Sequence, residues 1–397
     1  GYGGSAIRDL VGNGSRFGVN VKYVESPSGA LSGEVEHLVG EDFLVLSADV
    51  VIDERIIKAL SREKGVVYCY DSRPDHLDVE PFEKVLLEDG RVKEVGQTLQ
   101  AWDGVYAGVC KCDRGIFPAL KELKGMNWRE CLGELARRRE VRGLDVTHLP
   151  SYIPELKRRL KPFWFRIDDV DGLRRCKKFL VKGTQKGVHF TAYINKPIED
   201  WLVYHLSEVP WITPHKLTVL TNAIAYLATL LFLSGHLLPA AVIAFGVGIL
   251  DGLDGKLARV RNVASKLGSM EHSFDFLFEQ SWYVAFSWAL FRITGGVIPL
   301  ALCVGILLAD AFVRHCYMQF RQTMGIALTD YARFDRLFAK IDGRRNVYVL
   351  YLLFGVLVGA PLLALYLILS HSVLTAIIYA LRACKHAHEA DRGEPSR

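Results

Sequence analysis

The sequence predicts two parts of different fold class: an α/β, Rossmann-like soluble domain, followed by an all-α transmembrane domain of six helices. The first observation is the distribution of charge. Of the 397 residues, 50% are hydrophobic and 23% are charged, and most of the charge precedes residue 210. The second is a set of long apolar runs: residues 217–250 and 346–381 contain no Asp, Glu, Lys or Arg, and 280–309 contain only Arg292. Runs of this length are typical of membrane spans. The third is the alternation of strand-like and helix-like segments in the first part.

Strand and helix patterns alternate near the start of the chain. Residues 16–26 and 42–49 have strand patterns, residues 54–63 have helical periodicity, and residues 66–70 form another apolar strand pattern. This order predicts a mostly parallel sheet with helices on both faces, in which ligands bind at the carboxyl ends of strands, where Asp49 falls. The chain opens with Gly-Tyr-Gly-Gly and no initiator Met, so we expect the first domain to be truncated at its N-terminus.

Three segments of the first domain resemble the sugar-phosphate nucleotidyltransferase family. They are Pro-Ser-Gly-Ala-Leu at 27–31, the strand pattern ending at Asp49, and Trp-Phe-Arg-Ile-Asp-Asp at 164–169, before a helix over 173–180. The resemblance implies that Asp49 and Asp168 hold the Mg²⁺ of a nucleoside triphosphate. The alternative is that both cap the helices that follow them. The family's Gly-rich loop, with its Arg and Lys, is absent from this sequence, so the domain is not expected to transfer nucleotides by itself.

Basic residues are frequent between residues 137 and 186. They form either solvated helix faces or contacts with a phosphorylated substrate or the anionic membrane surface. The net charge of +5 does not indicate nucleic acid binding, because the basic residues mostly flank apolar segments and are not interleaved with aromatic ones. The eight cysteines include no Cys-x-x-Cys pair, which fits a reduced, cytoplasmic setting.

Six apolar segments are predicted to span the membrane, at 216–235, 237–258, 271–291, 297–317, 346–360 and 361–383. Basic residues, Lys256 and Arg261 among them, cluster after the second and fourth segments, whereas the three opposite connections contain a single Arg. The positive-inside rule therefore predicts a multi-pass protein of the cell membrane whose soluble domain, basic connections and two termini are cytoplasmic. Before the first span, residues 198–209 have the pattern of an amphipathic helix on the bilayer surface, with Trp201 on its apolar side.

Carboxylates interrupt the apolar pattern at the end of the second span and the start of the third. One pair, three residues apart, shares a helix face with two small residues, and a second pair lies four apart on the next helix. These residues are Asp251, Asp254, Gly255, Ala258, Glu271 and Asp275. Four like charges would repel unless they were protonated or bound to cations, and an all-oxygen site suits two Mg²⁺ or Mn²⁺ ions bridging a pyrophosphate. The alternative is a set of helix caps and ion pairs with nearby basic residues.

This segment closely resembles the signature of the CDP-alcohol phosphotransferase family: Asp-x-x-Asp-Gly-x-x-Ala-Arg, eight residues, Gly, then two acids four apart. The resemblance implies that the four acids bind two metal ions around the CDP pyrophosphate and that Asp275 deprotonates the acceptor hydroxyl. The implied substrate contacts are Gly255, Ala258, Arg259, Gly268 and Thr218. The third acid comes one residue earlier than usual, and the usual register would place His272 and Phe276 at the acidic positions. We therefore assign Glu271 and Asp275, with Glu279 as a weaker alternative for the base.

The two domains together resemble bifunctional archaeal enzymes that make CDP-inositol from CTP and inositol 1-phosphate and join it to a second inositol 1-phosphate, releasing CMP. The resemblance implies that the first domain supplies CDP-inositol, or another CDP-alcohol, to the second, that the product is a phosphorylated di-inositol osmolyte, and that the chain forms a homodimer in the lipid bilayer. The acceptor phosphate requires cations at the cytoplasmic opening of the predicted membrane site. The candidates are Arg333, Arg336, Arg344 and Arg345. Asp310 is either an ion-paired structural acid or a substrate contact.

Two other functions share some of these features. A phospholipid synthase of the phosphatidylinositol-phosphate type would use CDP-diacylglycerol at the same membrane site, but its donor is not made by a soluble domain of this kind. An ion-coupled transporter would need acids spread across the bilayer, whereas these lie at one end of two spans. The predicted domains are 1–190 (nucleotidyltransferase-like), 191–212 (interfacial helix and linker), 213–385 (transmembrane CDP-alcohol phosphotransferase domain) and 386–397 (polar tail).

Overall fold

The computed structural model describes the backbone of residues 4–25, 33–74, 82–123, 126–153, 158–185, 189–261, 263 and 266–392. Within these ranges it describes every side chain except those of residues 33, 34, 158, 159, 266, 267, 269, 271 and 272. The motif at 27–31 and the Glu271 carboxylate therefore lie outside the described atoms. The chain divides into two compact units, Gly1–Ile153 with Arg159–Cys176, and Pro154–Arg158 with Lys177–Arg397.

The first unit is an α/β domain with helices on both faces of a sheet. Its helices are α1 (Gly4–Val11), α2 (Glu54–Arg62), α3 (Ile116–Glu122), α4 (Trp128–Arg138) and the start of α5 (Val170–Gly183). The strands are β1 (Asp42–Leu46), β2 (Val50–Ile52), β3 (Val67–Asp71), β4 (Lys84–Glu88), β5 (Arg91–Gly96), β6 (Gly104–Asp113), β7 (Arg142–Asp145), β8 (Tyr152–Ile153), β9 (Arg158–Arg159) and β10 (Trp164–Arg166). Ile56 and Leu60 of α2 pack on one face of the sheet, and Ile116 of α3 with Leu132 of α4 packs on the other. The expectation of helices on both faces is confirmed.

The main sheet is mostly antiparallel. In the described part of the chain its strand order is β1-β6-β3-β7-β5-β4, and β4 also pairs with β6. Strands β3 and β7 are parallel, and the remaining pairings are antiparallel. The prediction of a mostly parallel sheet is therefore wrong. One reason is the β4–β5 hairpin, in which Asp89 and Gly90 have φ of 49° and 76°, the left-handed conformations that a tight hairpin turn requires.

A short two-stranded ribbon joins two segments of the first unit that are distant in sequence. Strand β2 pairs antiparallel with β10, and the Ile167 amide donates to the Asp49 carbonyl at 2.7 Å. Asp49 lies in the turn between β1 and β2, three residues after β1 ends, rather than on a strand end. The ribbon places this turn beside Asp168.

The predicted strand over 16–26 is also wrong for its described residues, 16–25. A 3-10 turn covers Ser15–Phe17, between Gly14 and Gly18, whose φ values are 83° and 70°. These left-handed conformations turn the chain where the sequence pattern predicted an extended segment.

The second unit is all-α. Its helices are α6 (Phe190–Leu206), α7 (Pro214–Leu233), α8 (Leu237–Val260), α9 (Lys266–Thr294), α10 (Ile298–Met324), α11 (Leu328–Tyr331), α12 (Arg333–Phe338), α13 (Arg345–Leu357) and α14 (Pro361–Asp391). Each predicted span coincides with a helix. Among the described residues, α7, α8, α10 and α14 are long and apolar enough to cross a membrane. Helix α13 has 13 residues and is about 20 Å long, shorter than the bilayer core.

The long helices share one buried core. Trp282, Tyr283 and Phe286 of α9 pack in it with Ala240 and Ala244 of α8. The Trp282 indole N–H donates to the Ala225 carbonyl at 2.8 Å, which satisfies its polar group within the apolar interior. The apolar parts of α8 and α9 thus hold in place the helix ends that carry the predicted acids.

Helix α6 is amphipathic. Its buried residues, Asn195 and Val203 among them, face the rest of the second unit, while Tyr193, Ile198 and Trp201 are exposed. The structure therefore contains an amphipathic helix before α7, beginning at Phe190 instead of residue 198. The second half of α5 packs with this unit, because Val181 is buried in a cluster with Val203 and Leu253.

Candidate functional site

Helix α8 presents its two predicted acids in different environments. Asp254 is buried, and Thr218 Oγ1 of α7 donates to its carboxylate at 2.8 Å. Asp251 is partly exposed and pairs with Arg345. Thr218 was predicted as a substrate contact, and in the structure it orients a carboxylate of the acidic motif.

Arg345, the first residue of α13, lies beside the acidic motif of α8. Its side chain is 13% exposed, and its guanidinium pairs with Asp251. Glu279 and Asp275 of α9 are within electrostatic range of the same guanidinium.

Helix α9 holds two buried acids with different surroundings. Asp275 is 7% exposed. Glu279, one turn further on, is fully buried, accepts a hydrogen bond from Tyr283 Oη at 2.7 Å and pairs with Arg314. Arg314 Nε also donates to Asp310 at 3.1 Å. Glu279 and Asp310 share the Arg314 guanidinium, and each accepts a further hydrogen bond, from Tyr283 and Gln280 respectively, which favours structural roles for both over those of base and substrate contact.

The acidic motif offers the oxygen ligands that hard divalent cations prefer. Within the described side chains, no three His, Cys, Asp or Glu groups lie close enough to hold an ion, and the Glu271 carboxylate is not among those side chains. Asp254 and Asp275 are buried carboxylates on neighbouring helices, and hard divalent cations bind such groups. The donor set thus fits a divalent metal, with Glu271 as the expected further ligand.

The small residues of the motif lie next to an anchored arginine. A Cβ added at Gly255 would lie 3.1 Å from Arg259 Nη1, and Arg259 Nε donates to the Thr184 carbonyl at 2.9 Å. Ala258 is half-buried on the same helix, and Gly268 lies in the first turn of α9. Arg259 is held at the end of α8 by a backbone carbonyl.

The four arginines proposed for the acceptor phosphate differ in accessibility. Arg333 and Arg336 of α12 are exposed, and Arg344 pairs with the carboxylate of Asp342. Arg345 lines a cleft of about 320 Å³ between α6, α8 and α13, and its Nε has no hydrogen-bond partner among the described residues. Of the four, the structure brings only Arg345 to the acids of the motif.

Sequence reasoning missed a buried ion-pair cluster between α8 and α6. Lys256 is 2% exposed and lies 2.8 Å from Glu199 and 2.7 Å from Asp200, both on α6, so its assignment to a cytoplasmic loop was wrong. Burial raises the pKa of Glu199 against the opposing effect of Lys256. Burial also disfavours ionised Asp200, but hydrogen bonds from Lys196 and Lys256 lower its pKa below the ordinary value. The spacing of Gly248, Gly252 and Lys256, four residues apart, was the available signal.

The first unit has its own polar cleft, of about 290 Å³, beside Asp49. Arg166 Nε lies 2.9 Å from the Asp49 carboxylate and 3.2 Å from that of Asp168. Glu83, which also lines the cleft, pairs with Arg166 at 3.3 Å. The Trp128 indole N–H has no hydrogen-bond partner among the described residues. The structure thus brings Asp49 and Asp168 together around a guanidinium that a shared metal ion would have to displace.

Comparisons with known proteins find a matching family model and several similar proteins. Residues 211–380 match the family model described as CDP-alcohol phosphatidyltransferase. A protein of Rubrobacter xylanophilus named bifunctional IPC transferase and DIPP synthase is 27% identical over 374 residues, 89% of this chain and 78% of that protein. The protein of the same name from Aquifex aeolicus is 26% identical over 231 residues, 57% of this chain and 50% of that protein, so the chain spans about half of that relative.

A solved structure also resembles the first part of the chain. The inositol-1-phosphate CTP transferase of T. maritima is 19% identical, with a TM-score of 0.33 over 42% of this chain and 68% of that one.

Proposed function

We propose that this chain, which is similar to bifunctional IPC transferase and DIPP synthases and matches the CDP-alcohol phosphatidyltransferase family over residues 211–380, is a bifunctional membrane transferase. Its second unit moves the inositol-phosphoryl group of CDP-inositol onto inositol 1-phosphate and releases CMP. Its first unit belongs to the part that makes CDP-inositol from CTP and inositol 1-phosphate, a step that also requires the Gly-rich loop absent from this sequence. The observation that carries the proposal is that two carboxylates inside the matched segment are held in place: Thr218 donates to Asp254, and Arg345 pairs with Asp251.

The acids of the motif would hold two divalent cations, Mg²⁺ or Mn²⁺, whose charge would stabilise the donor pyrophosphate. The proposed ligands are Asp251, Asp254, Glu271 and Asp275. Thr218 fixes the Asp254 carboxylate by its hydrogen bond, and Arg345 fixes that of Asp251 by its ion pair.

Asp275 is the proposed general base. Its carboxylate accepts the proton of the acceptor hydroxyl, whose oxygen forms a bond to the β-phosphorus of the donor. The bond between that phosphorus and the bridging oxygen breaks, and CMP leaves with the electron pair. Gly255 and Ala258 leave space for the nucleotide, and Arg259 and Gly268 are proposed to contact it. Arg345 is the best-placed cation for the acceptor phosphate, with Arg333, Arg336 and Arg344 as further candidates.

The roles of the first unit rest on fewer contacts. Glu83, Arg129 and Arg166 surround the cleft beside Asp49 and are suited to a phosphorylated polyol, since the cleft offers both hydroxyl acceptors and cations. The magnesium role of Asp49 and Asp168 stays a prediction, because Arg166 pairs with both carboxylates.

The protein is a membrane protein, and we infer six spans, cytoplasmic termini and active site, and a homodimer. Four long apolar helices support the membrane location. The exposed apolar side of α6, with Tyr193 and Trp201, supports its position at the bilayer surface.

The test is incubation of the purified protein with Mg²⁺, CDP-inositol and inositol 1-phosphate. The proposal predicts release of CMP and formation of a water-soluble diester. A parallel reaction with CDP-diacylglycerol, extracted into organic solvent, tests the phospholipid synthase. A lipid product, with no water-soluble diester, would overturn the proposed donor, and no CMP from any donor would overturn the enzyme class.

A further inference from the structure

A buried set of four alternating charges joins α6 to the acidic motif. Lys256 of α8 lies 2.8 Å from Glu199 and 2.7 Å from Asp200, and Asp200 pairs in turn with Lys196 at 2.8 Å. The exposed fractions of the four side chains range from 2% at Lys256 to 28% at Lys196. Two positive and two negative groups balance, so the set has no net charge.

Glycines on the same face of α8 allow α6 to pack closely against it. Gly248, Gly252 and Lys256 follow one another at intervals of four residues, which places them on one side of the helix. Asn195 Nδ2 donates to the Gly248 carbonyl at 3.2 Å, and Glu199 lies directly over Gly252, where an added Cβ would come within 2.8 Å of its Oε1. Asp251 and Asp254 flank this face in sequence, so any rotation of α8 about its axis would also turn both acids.

The start of α6 is anchored to the segment before α13. The Phe190 amide donates to the Lys340 carbonyl at 3.0 Å, and His189 Nε2 lies 3.2 Å from the Asp342 carbonyl. These carbonyls belong to the segment that leads into Arg345. Helix α6 and its N-cap therefore contact the two elements that carry the Asp251–Arg345 ion pair: α8 through Lys256, and the segment that enters α13 through His189.

We propose that Lys256 is a positioning residue for the acidic motif, which acts through Glu199 and Asp200 by fixing the rotation of α8 against α6. Apolar side chains could join the two helices without the free-energy cost of removing charged groups from water. Paired charges, in contrast, favour one particular rotation and position of α8 against α6. The proposal rests on the proposed function, because it assigns Lys256 to the orientation of Asp251 and Asp254 toward metal and donor.

The experiment distinguishes two roles of Lys256: orienting the acidic motif, and only balancing the buried negative charge of Glu199 and Asp200. Lys256→Met leaves one unbalanced negative charge, and Lys256→Met/Glu199→Gln restores the balance without restoring the bridge. The readouts are the thermal stability in detergent, the Mn²⁺ concentration for half-maximal CMP release, and kcat and KM for the CDP-alcohol. Lys385→Met, an exposed lysine on α14, is the matched control.

The proposal predicts that the double variant regains the thermal stability of the wild type but keeps a raised Mn²⁺ requirement and about a 100-fold lower kcat, because a displacement of about 1 Å has that effect on catalysis. Lys256→Arg, which can still bridge both carboxylates, should retain most of the activity. Wild-type Mn²⁺ dependence and kcat in a stable double variant would overturn the inference and leave the proposed function intact. Absence of CMP release from the wild type would instead contradict the proposed function.

Discussion

The contact between Gly252 and Glu199 allows one stability prediction to be worked out in detail. A Cβ at position 252 would lie 2.8 Å from Glu199 Oε1 and 2.9 Å from its Cδ, closer than real Cβ atoms approach. Glu199 is not a free side-chain end, because its Oε2 is held 2.8 Å from Lys256 Nζ. Overpacking of this kind costs about 1–3 kcal/mol. Alanine in place of a helical glycine gains about 1 kcal/mol, so Gly252→Ala should lose up to about 2 kcal/mol.

The matched control is Gly246→Ala on the same helix. An added Cβ there would meet nothing within 4 Å, so this variant gains the helical preference without the clash. The two variants should therefore differ by about 1–3 kcal/mol. Since 1 kcal/mol corresponds to about 2–4 °C in a domain of this size, the difference is measurable as an apparent Tm in detergent.

The same substitution in a Glu199→Ala protein makes the test specific to Glu199. In a Glu199→Ala protein the obstructing carboxylate is gone, so Gly252→Ala should become neutral or stabilising relative to that background. Equal Tm values for Gly252→Ala and Gly246→Ala, together with no dependence on Glu199, would refute the placement of α6 against the motif.

Two further predictions concern groups near the ends of α6 and α8. Burial, followed by the charge of Arg344, lowers the pKa of His189 to about 4, and its Nδ1 accepts the Thr191 amide at 3.3 Å. The folded protein favours the neutral imidazole, so His189 stabilises the fold fully above the unfolded pKa of about 6.5, and the free energy of unfolding falls by up to about 3 kcal/mol as the pH drops to 4. The Tm of the wild type should therefore decrease over this pH range, and His189→Asn should remove the part of the decrease that is due to His189. Identical pH profiles of Tm for the two proteins would contradict the assignment. Arg261→Lys should cost about 1–3 kcal/mol of stability, because lysine lacks the planar fork that reaches several carbonyls, whereas exposed Arg292→Lys should leave the Tm unchanged. Equal Tm values for both variants would refute the role of Arg261. The carbonyls that Arg261 contacts are those of Leu206, Ser207, Val209 and Ile212.

Local sequence patterns predicted the helices of the second unit and the position of two acids on one of them. Uninterrupted apolar runs define helices such as α7 and α14 because a bilayer span requires them. The three-residue spacing of Asp251 and Asp254 on one helix is likewise a local property. The amphipathic character of α6 was predictable because Trp201 and Ile198 recur at helical intervals.

Contacts between distant segments could not be predicted in the same way. Arg345 and Asp251 are 94 residues apart, and nothing local to either residue indicates the pair. Lys256 is a basic residue near other basic residues, as is typical of a loop beside a membrane span. The packing of α6, which buries it with two carboxylates, is a contact between distant segments. The direction of the strands also depends on long-range pairing, such as that of β6 with β1 and β3, which alternation of strands and helices does not determine.

The role of Asp275 as general base is tested most directly by CMP release from Asp275→Asn, compared with the wild type, at saturating Mg²⁺, CDP-inositol and inositol 1-phosphate. Asparagine keeps the size of the side chain but cannot accept the hydroxyl proton. We expect a loss of about 10²–10⁴-fold in kcat, with CDP-inositol still bound by the folded variant. A rate near that of the wild type would contradict the assignment of Asp275 as the base and, with it, the acidic motif as the catalytic centre.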